Sequence, residues 1–114
     1  MDDLSQQVFL NYIGGEWVAC ASGVTAPNLN PADTSDVVGR FQQSDADDAA
    51  RAVKAAADAF AAWRDTPISK RAAILFRAAQ HLEDHADEVA RELTREEGKG
   101  LALARDEVLR SAQT

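Results

Sequence analysis

From Ile68 to Leu93, apolar residues fall at Ile68, Ala72, Leu75, Ala79, Leu82, Ala86, Val89 and Leu93, in alternating steps of four and three. At 3.6 residues per turn that spacing keeps every one of them on a single face, so the segment reads as one amphipathic helix with a buried stripe. Gly98 follows, suited to the left-handed position just past a helix end. Counted to that point the run is about thirty residues, a rod of roughly 45 Å. A rod of that length overhangs any domain that 114 residues can build.

Two further helices flank it. Ser44-Asp45-Ala46-Asp47 combines an N-cap with acids in a first turn. The apolar positions Ala46, Ala49, Ala50, Val53, Ala57, Phe60 and Trp63 then predict a helix with that face buried. Thr66 is placed as the N-cap of the long helix, with Pro67 at its first helical position. A third helix begins near Leu101, with Ala104, Val108 and Ala112 on one face. It runs into Ser111-Ala112-Gln113-Thr114 without the Gly, Pro or basic turn that closes a finished helix.

Residues 8–43 read instead as short strands and turns. Val8-Phe9-Leu10-Asn11-Tyr12-Ile13 is β-branched and aromatic, and Gly14-Gly15 separates it from Glu16-Trp17-Val18, the pattern of a β-hairpin. Ala26 to Asp33, with two prolines and two asparagines within six residues, reads as a turn region. Asp36 to Gln42 reads as a further strand with Gly39 as a bulge. Two or three short strands are marginal alone and invite pairing with a larger sheet. The overhanging rod, the uncapped last helix and the unpaired strands together predict an incomplete part of something bigger.

Composition narrows the function. Apolar residues make up 46%, much of it alanine, and aromatics only 6%, so the core is expected to be modest and the helices closely packed. A net charge of −7 argues against nucleic-acid binding, which needs a basic face. Cys20 is the sole cysteine, so no intrachain disulfide can form. No apolar run approaches the roughly 20 residues needed to span a bilayer. The N-terminus Met1-Asp2-Asp3 is acidic where a leader would be basic. A cytoplasmic protein that binds neither membrane nor nucleic acid is expected.

The residues by themselves offer little chemistry. His81 and His85 stand four apart, a spacing that can hold a metal ion, but the position after the first histidine is Leu82 rather than the Glu of zinc proteases. A solvated helix face is the better reading. Gly98-Lys99-Gly100 lacks the earlier Gly and the following Ser or Thr of a phosphate loop, so Lys99 reads as a helix-end residue. Cys20, in a polar Gly- and Ser-rich turn, reads as a passive thiol. Glu96 and Glu97 are adjacent, and their side chains diverge on a helix. No Gly-x-Gly-x-x-Gly occurs.

The order of features carries more. Asn11-Tyr12-Ile13-Gly14-Gly15-Glu16-Trp17-Val18 resembles the "I-x-G-x-W" opening hairpin of NAD(P)-dependent aldehyde dehydrogenases, and Asn28-Leu29-Asn30-Pro31-Ala32 resembles that family's Asn-Pro turn. Ala49 to Trp63-Arg64, with Thr66-Pro67 and Arg71, is similar to its first helix pair. Glu96-Glu97-Gly98-Lys99 matches its "E-x-G-K" signature, and Ala104-Arg105-x-Glu107-Val108 the helix after it. Gly100 departs from the usual Pro. The resemblance runs from about residue 9 to residue 114.

It implies an α/β enzyme with a Rossmann-like cofactor domain, a catalytic domain and an oligomerisation arm. Residues 1–114 would be an incomplete N-terminal part: a β-hairpin and strand region followed by three α-helices, the second very long. The full-length protein, semialdehyde dehydrogenase-like and homo-oligomeric, would oxidise a small aldehyde to a carboxylic acid with NAD or NADP, through a cysteine thiohemiacetal. Nucleophile, base and cofactor loop would lie later in the chain, so these residues alone would bind no cofactor and carry no catalytic residue. In some members a monovalent cation lies between the positions of Asn28, through its carbonyl, and Glu96; a structural turn and a solvated acid stand as the alternative. Arg110 falls where the family's helix borders the substrate tunnel, and there it would attract an aldehyde bearing a carboxylate, or else be a surface arginine. The competing reading of the chain is a non-catalytic helical scaffold or interaction module built on the Ile68–Leu93 stripe.

Overall fold

A computed structural model describes residues 7–113, so Met1-Asp2-Asp3 and Thr114 lie outside the described residues. Five strands, β1 (Val8–Phe9), β2 (Asn11–Ile13), β3 (Glu16–Val18), β4 (Thr25–Asn30) and β5 (Asp33–Gln42), precede four helices, α1 (Ala46–Asp65), α2 (Ile68–Asp84), α3 (Ala86–Glu97) and α4 (Leu101–Gln113). The chain divides into two compact units. One takes in residues 7–29 and 35–65, the other residues 30–34 and 66–113.

In the first unit β2 and β3 form the expected hairpin, antiparallel, with Tyr12 opposite Trp17. Its turn is Gly14-Gly15, with φ of 63° and 89°. Two successive positive φ values are what a two-residue turn needs to match the twist of its strands, and glycine adopts them without a Cβ clash. The apolar run before it is not one strand, because β1 ends at Phe9 and leaves for a different sheet. There the strand order is β1-β5-β4, with β1 parallel to β5.

The segment expected to be a turn is mostly strand. β4 reaches Asn30, and only Pro31-Ala32 turns the chain, with the Ala32 N–H donating to Asn30 Oδ1 at 2.9 Å. Pro27 is tolerated because β4 is an edge strand. Gly39 lies inside β5, at a point where a ring closes over the backbone. A Cβ there would lie 2.9 Å from Phe9 Cδ2 and closer still to Cε2, because the Phe9 ring covers this position and stacks on Phe41 at 4.7 Å.

α1 is capped one residue later than the sequence suggested. Asp45 Oδ1 accepts the N–H groups of Asp47 and Asp48, each at 3.0 Å, and Asp48 Oδ2 accepts the Asp45 N–H at 3.2 Å. This is a reciprocal capping box built from two aspartates. The face expected to be buried is exposed instead, with Val53 69% and Phe60 61% accessible. The side of α1 that packs carries Asp48, Ala52 and Ala55, and Ala55 lies under the hairpin turn, 3.9 Å from where a Cβ on Gly14 would sit.

In the second unit the single long helix is two. His85, at φ −110° and ψ 15°, ends α2 and starts α3. Its ring Nδ1 lies 2.8 Å from the His81 carbonyl, nearer than its own backbone N–H at 3.3 Å. A side chain bidding for a main-chain acceptor loosens the helical ladder, and the apolar period records nothing of that. α2 opens with Pro67 as its cap residue rather than Thr66, the Pro67 carbonyl accepting the N–H groups of Lys70 and Arg71. Ala86, Ala90, Ala104 and Val108 form the core between α3 and α4, and Leu82, Val89, Leu93 and Leu109 pack on it. The first half of the long stripe is uncovered, with Leu75 65% accessible. No helix among the described residues is long and apolar enough to cross a membrane.

Candidate functional site

The corner between α3 and α4 gathers a set of organised polar contacts. Gly98 ends α3 in the left-handed region, φ 79°, and its N–H donates to the Thr94 carbonyl at 2.9 Å. An added Cβ would stand 3.3 Å from Pro31 Cγ, so Gly98 serves both the helix stop and a close approach by the β4–β5 turn. The Thr94 hydroxyl is enclosed here without a hydrogen-bond partner among the described residues.

Lys99 turns back over the corner. Its Nζ pairs with Glu97 at 2.7 Å and with Glu107, one α4 turn beyond Leu103. The hydrogen bond to Glu107, then that to Glu97, holds the Lys99 ammonium above its ordinary pKa, against a smaller opposing effect of burial. The same bond, followed by the Lys99 charge, holds Glu107 below the usual carboxylate value, and the Arg110 charge adds to this. Lys99 is thus a staple from the end of α3 to α4, in keeping with its reading as a helix-end residue. A second pair, Arg105 Nε to Asp87 Oδ1 at 2.6 Å, links the same two helices.

Arg110 is exposed on α4, where it lines a shallow hollow with Leu103, Asp106, Leu109 and Gln113. Asn28 lies on β4 in the first unit and Glu96 in the last turn of α3 in the second. Cys20 is buried, its thiol donating to the Val24 carbonyl at 3.3 Å and touching Ser22 Oγ at 3.4 Å. A thiol held this way is not presented to a substrate. His81 and His85 are exposed on the other unit. Among the described residues no cluster of three or more His, Cys, Asp or Glu is arranged to hold a metal ion.

One residue was missed by sequence reasoning. Asp48 is the most enclosed polar side chain described, 1% accessible. Besides its capping role it accepts the Ala21 N–H at 3.0 Å and pairs with Arg51. The Arg51 hydrogen bond, with those from Asp45 and Ala21, holds its carboxyl below the ordinary value although burial works against this. The Asp45-x-x-Asp48 spacing was the available signal. Placing the cap at Ser44 concealed it.

The "Aldehyde dehydrogenase family" model matches residues 17–114. Over 105 residues the chain is 43% identical to the alpha-ketoglutaric semialdehyde dehydrogenase of Bacillus subtilis, covering 92% of this chain and 22% of that protein. It is also 43% identical over 107 residues to malonate-semialdehyde dehydrogenase 2 of Geobacillus kaustophilus, covering 94% and 22%. The crystal structure of PnpE in complex with nicotinamide adenine dinucleotide superimposes with a TM-score of 0.84 at 30% identity, over 91% of this chain and 21% of that one. The chain therefore spans about a fifth of the length of the curated relatives it matches.

Proposed function

The chain belongs to the aldehyde dehydrogenase family, and from that premise we propose that it is the N-terminal part of an enzyme oxidising a carboxylate-bearing aldehyde, a semialdehyde, to the diacid with NAD or NADP. The observation that carries this reading is the 43% identity, across nearly the whole chain, to two relatives named for semialdehyde substrates. The corner at Gly98 and Lys99 supports it physically, because the family's signature residues here perform a defined job: they stop α3, start α4 and fix α4 by ion pairs. In this reading α4 carries Arg110 to the substrate, whose carboxylate its planar guanidinium would hold through paired hydrogen bonds. The nucleotide would be bound, and the cysteine nucleophile and base supplied, by residues other than these. The bound nucleotide would accept the hydride. In the intact enzyme these residues form a scaffold.

The test is an assay of the full-length gene product against malonic, succinic and alpha-ketoglutaric semialdehydes and an uncharged aldehyde of equal length, with NAD⁺ and NADP⁺, following absorbance at 340 nm. The expected result is reduction of one nucleotide, with the carboxylated substrates preferred. Arg110→Ala should raise KM for those substrates and leave the uncharged one unchanged. An enzyme that reduces neither nucleotide overturns the activity; unchanged preference in Arg110→Ala removes Arg110 from it.

A further inference from the structure

We infer that His81 and His85 form a surface chelate for a borderline divalent transition-metal ion such as Ni²⁺, Cu²⁺ or Zn²⁺, one that clamps the junction of α2 and α3. The spacing alone did not support this. The structure adds three observations. First, the rings remain together although the helix breaks at His85: their centroids are 4.2 Å apart and their planes tilted by 47°. Second, His85 Nδ1 lies 2.8 Å from the His81 carbonyl. A carbonyl oxygen only accepts, so Nδ1 carries the proton, and the neutral ring keeps its lone pair on Nε2. Metal-binding histidines are oriented in this way, with the other ring N–H given to a backbone carbonyl or carboxylate. Third, the two rings line one hollow, with Glu88 beside them and the apolar side chains of Ala78, Leu82 and Val89 making up the rest.

With no three-residue cluster among the described residues, water completes the coordination. Two imidazoles favour Cu²⁺, Ni²⁺ and Zn²⁺ over Mg²⁺ and Ca²⁺, which prefer oxygen. An ion bridging residue 81 and residue 85 ties the last turn of α2 to the first residue before α3, so binding and the stability of this junction are linked. The inference stands independently of the dehydrogenase reading.

The untagged 114-residue chain is titrated with NiCl₂ by calorimetry, while the imidazole resonances are followed by NMR. The expected result is one saturable ion per chain, selective paramagnetic broadening of the His81 and His85 ring signals, and a higher melting temperature. His81→Gln and His85→Gln should each lower the association constant at least about ten-fold and abolish the melting shift. Both side chains are exposed and glutamine is a good helix former, and far-UV circular dichroism checks that the variants fold. Absence of saturable binding at millimolar Ni²⁺, undiminished binding in both variants, or broadening at other residues alone would overturn the inference.

Discussion

Asp48 shows how much one residue can hold. Its carboxylate closes the capping box of α1, anchors the Ala21 N–H and pairs with Arg51 while almost wholly enclosed. Its folded pKa is depressed, so it stabilises the fold above the unfolded value of about 3.9, and that stabilisation is lost as pH falls through the lower folded value. Asp48→Asn should therefore melt lower than the native chain at pH 7, and its stability should fall less steeply below about pH 4. Thermal melts across pH 2–7 check this; an acid limb superimposable on the native one would assign the dependence to other carboxylates, Asp65 and Glu107 among them. Gly39 makes the opposite case, a residue chosen for what it lacks. Gly39→Ala should push the Phe9 ring off Phe41 and cost about 1–3 kcal/mol, measured by urea denaturation. Combining it with Phe9→Ala should cost less than the sum of the two single changes. The Asp45-x-x-Asp48 spacing carries the cap, but the long-range contacts could not be read from the sequence: Asp48 meets an N–H 27 positions away, and Gly39 meets a ring on another strand.

At the scale of elements, α2 and α3 are the instructive pair. A period of four and three runs through both, yet they are separate helices, and a ring-to-carbonyl hydrogen bond sits at the junction. Removing the ring should restore continuity: His85→Ala should raise the ellipticity at 222 nm and move the backbone carbon shifts of residues 84–86 to helical values. Unaltered shifts would mean that packing, rather than the histidine, sets the break. The β2–β3 turn and the stop at Gly98 were legible in advance, since each depends on a positive φ that glycine alone takes readily. β4 was hidden because its proline and two asparagines favour turns locally, whereas pairing with β5 is a contact between strands.

For the whole molecule, the balance of covered and uncovered apolar surface stands out. Val53, Phe60, Ile68, Leu75, Phe76 and Leu103 are all more than half accessible, which is unusual for a chain working alone. A net charge of −7 opposes the association of such surfaces. The 114-residue chain should therefore bind an apolar dye such as ANS in its native state, and should self-associate as salt screens the repulsion. Light scattering at low and at about 1 M salt decides this; scattering independent of salt would show that the exposed faces are not adhesive.

The sequence by itself determined that a strand region precedes a helical one, the Gly14-Gly15 hairpin, the helix end at Gly98 and, through its ordered motifs, the family. The structural features among these follow from short-range sterics and from periodicity, which are properties of neighbouring residues, and the family follows from the resemblance of its motifs in order. Tertiary structure decided which stretch of each apolar stripe is buried and why Asp48 is charged inside the fold. Burial and hydrogen bonding across the chain belong to pairs of surfaces, and a period along one helix specifies a face without specifying what covers it.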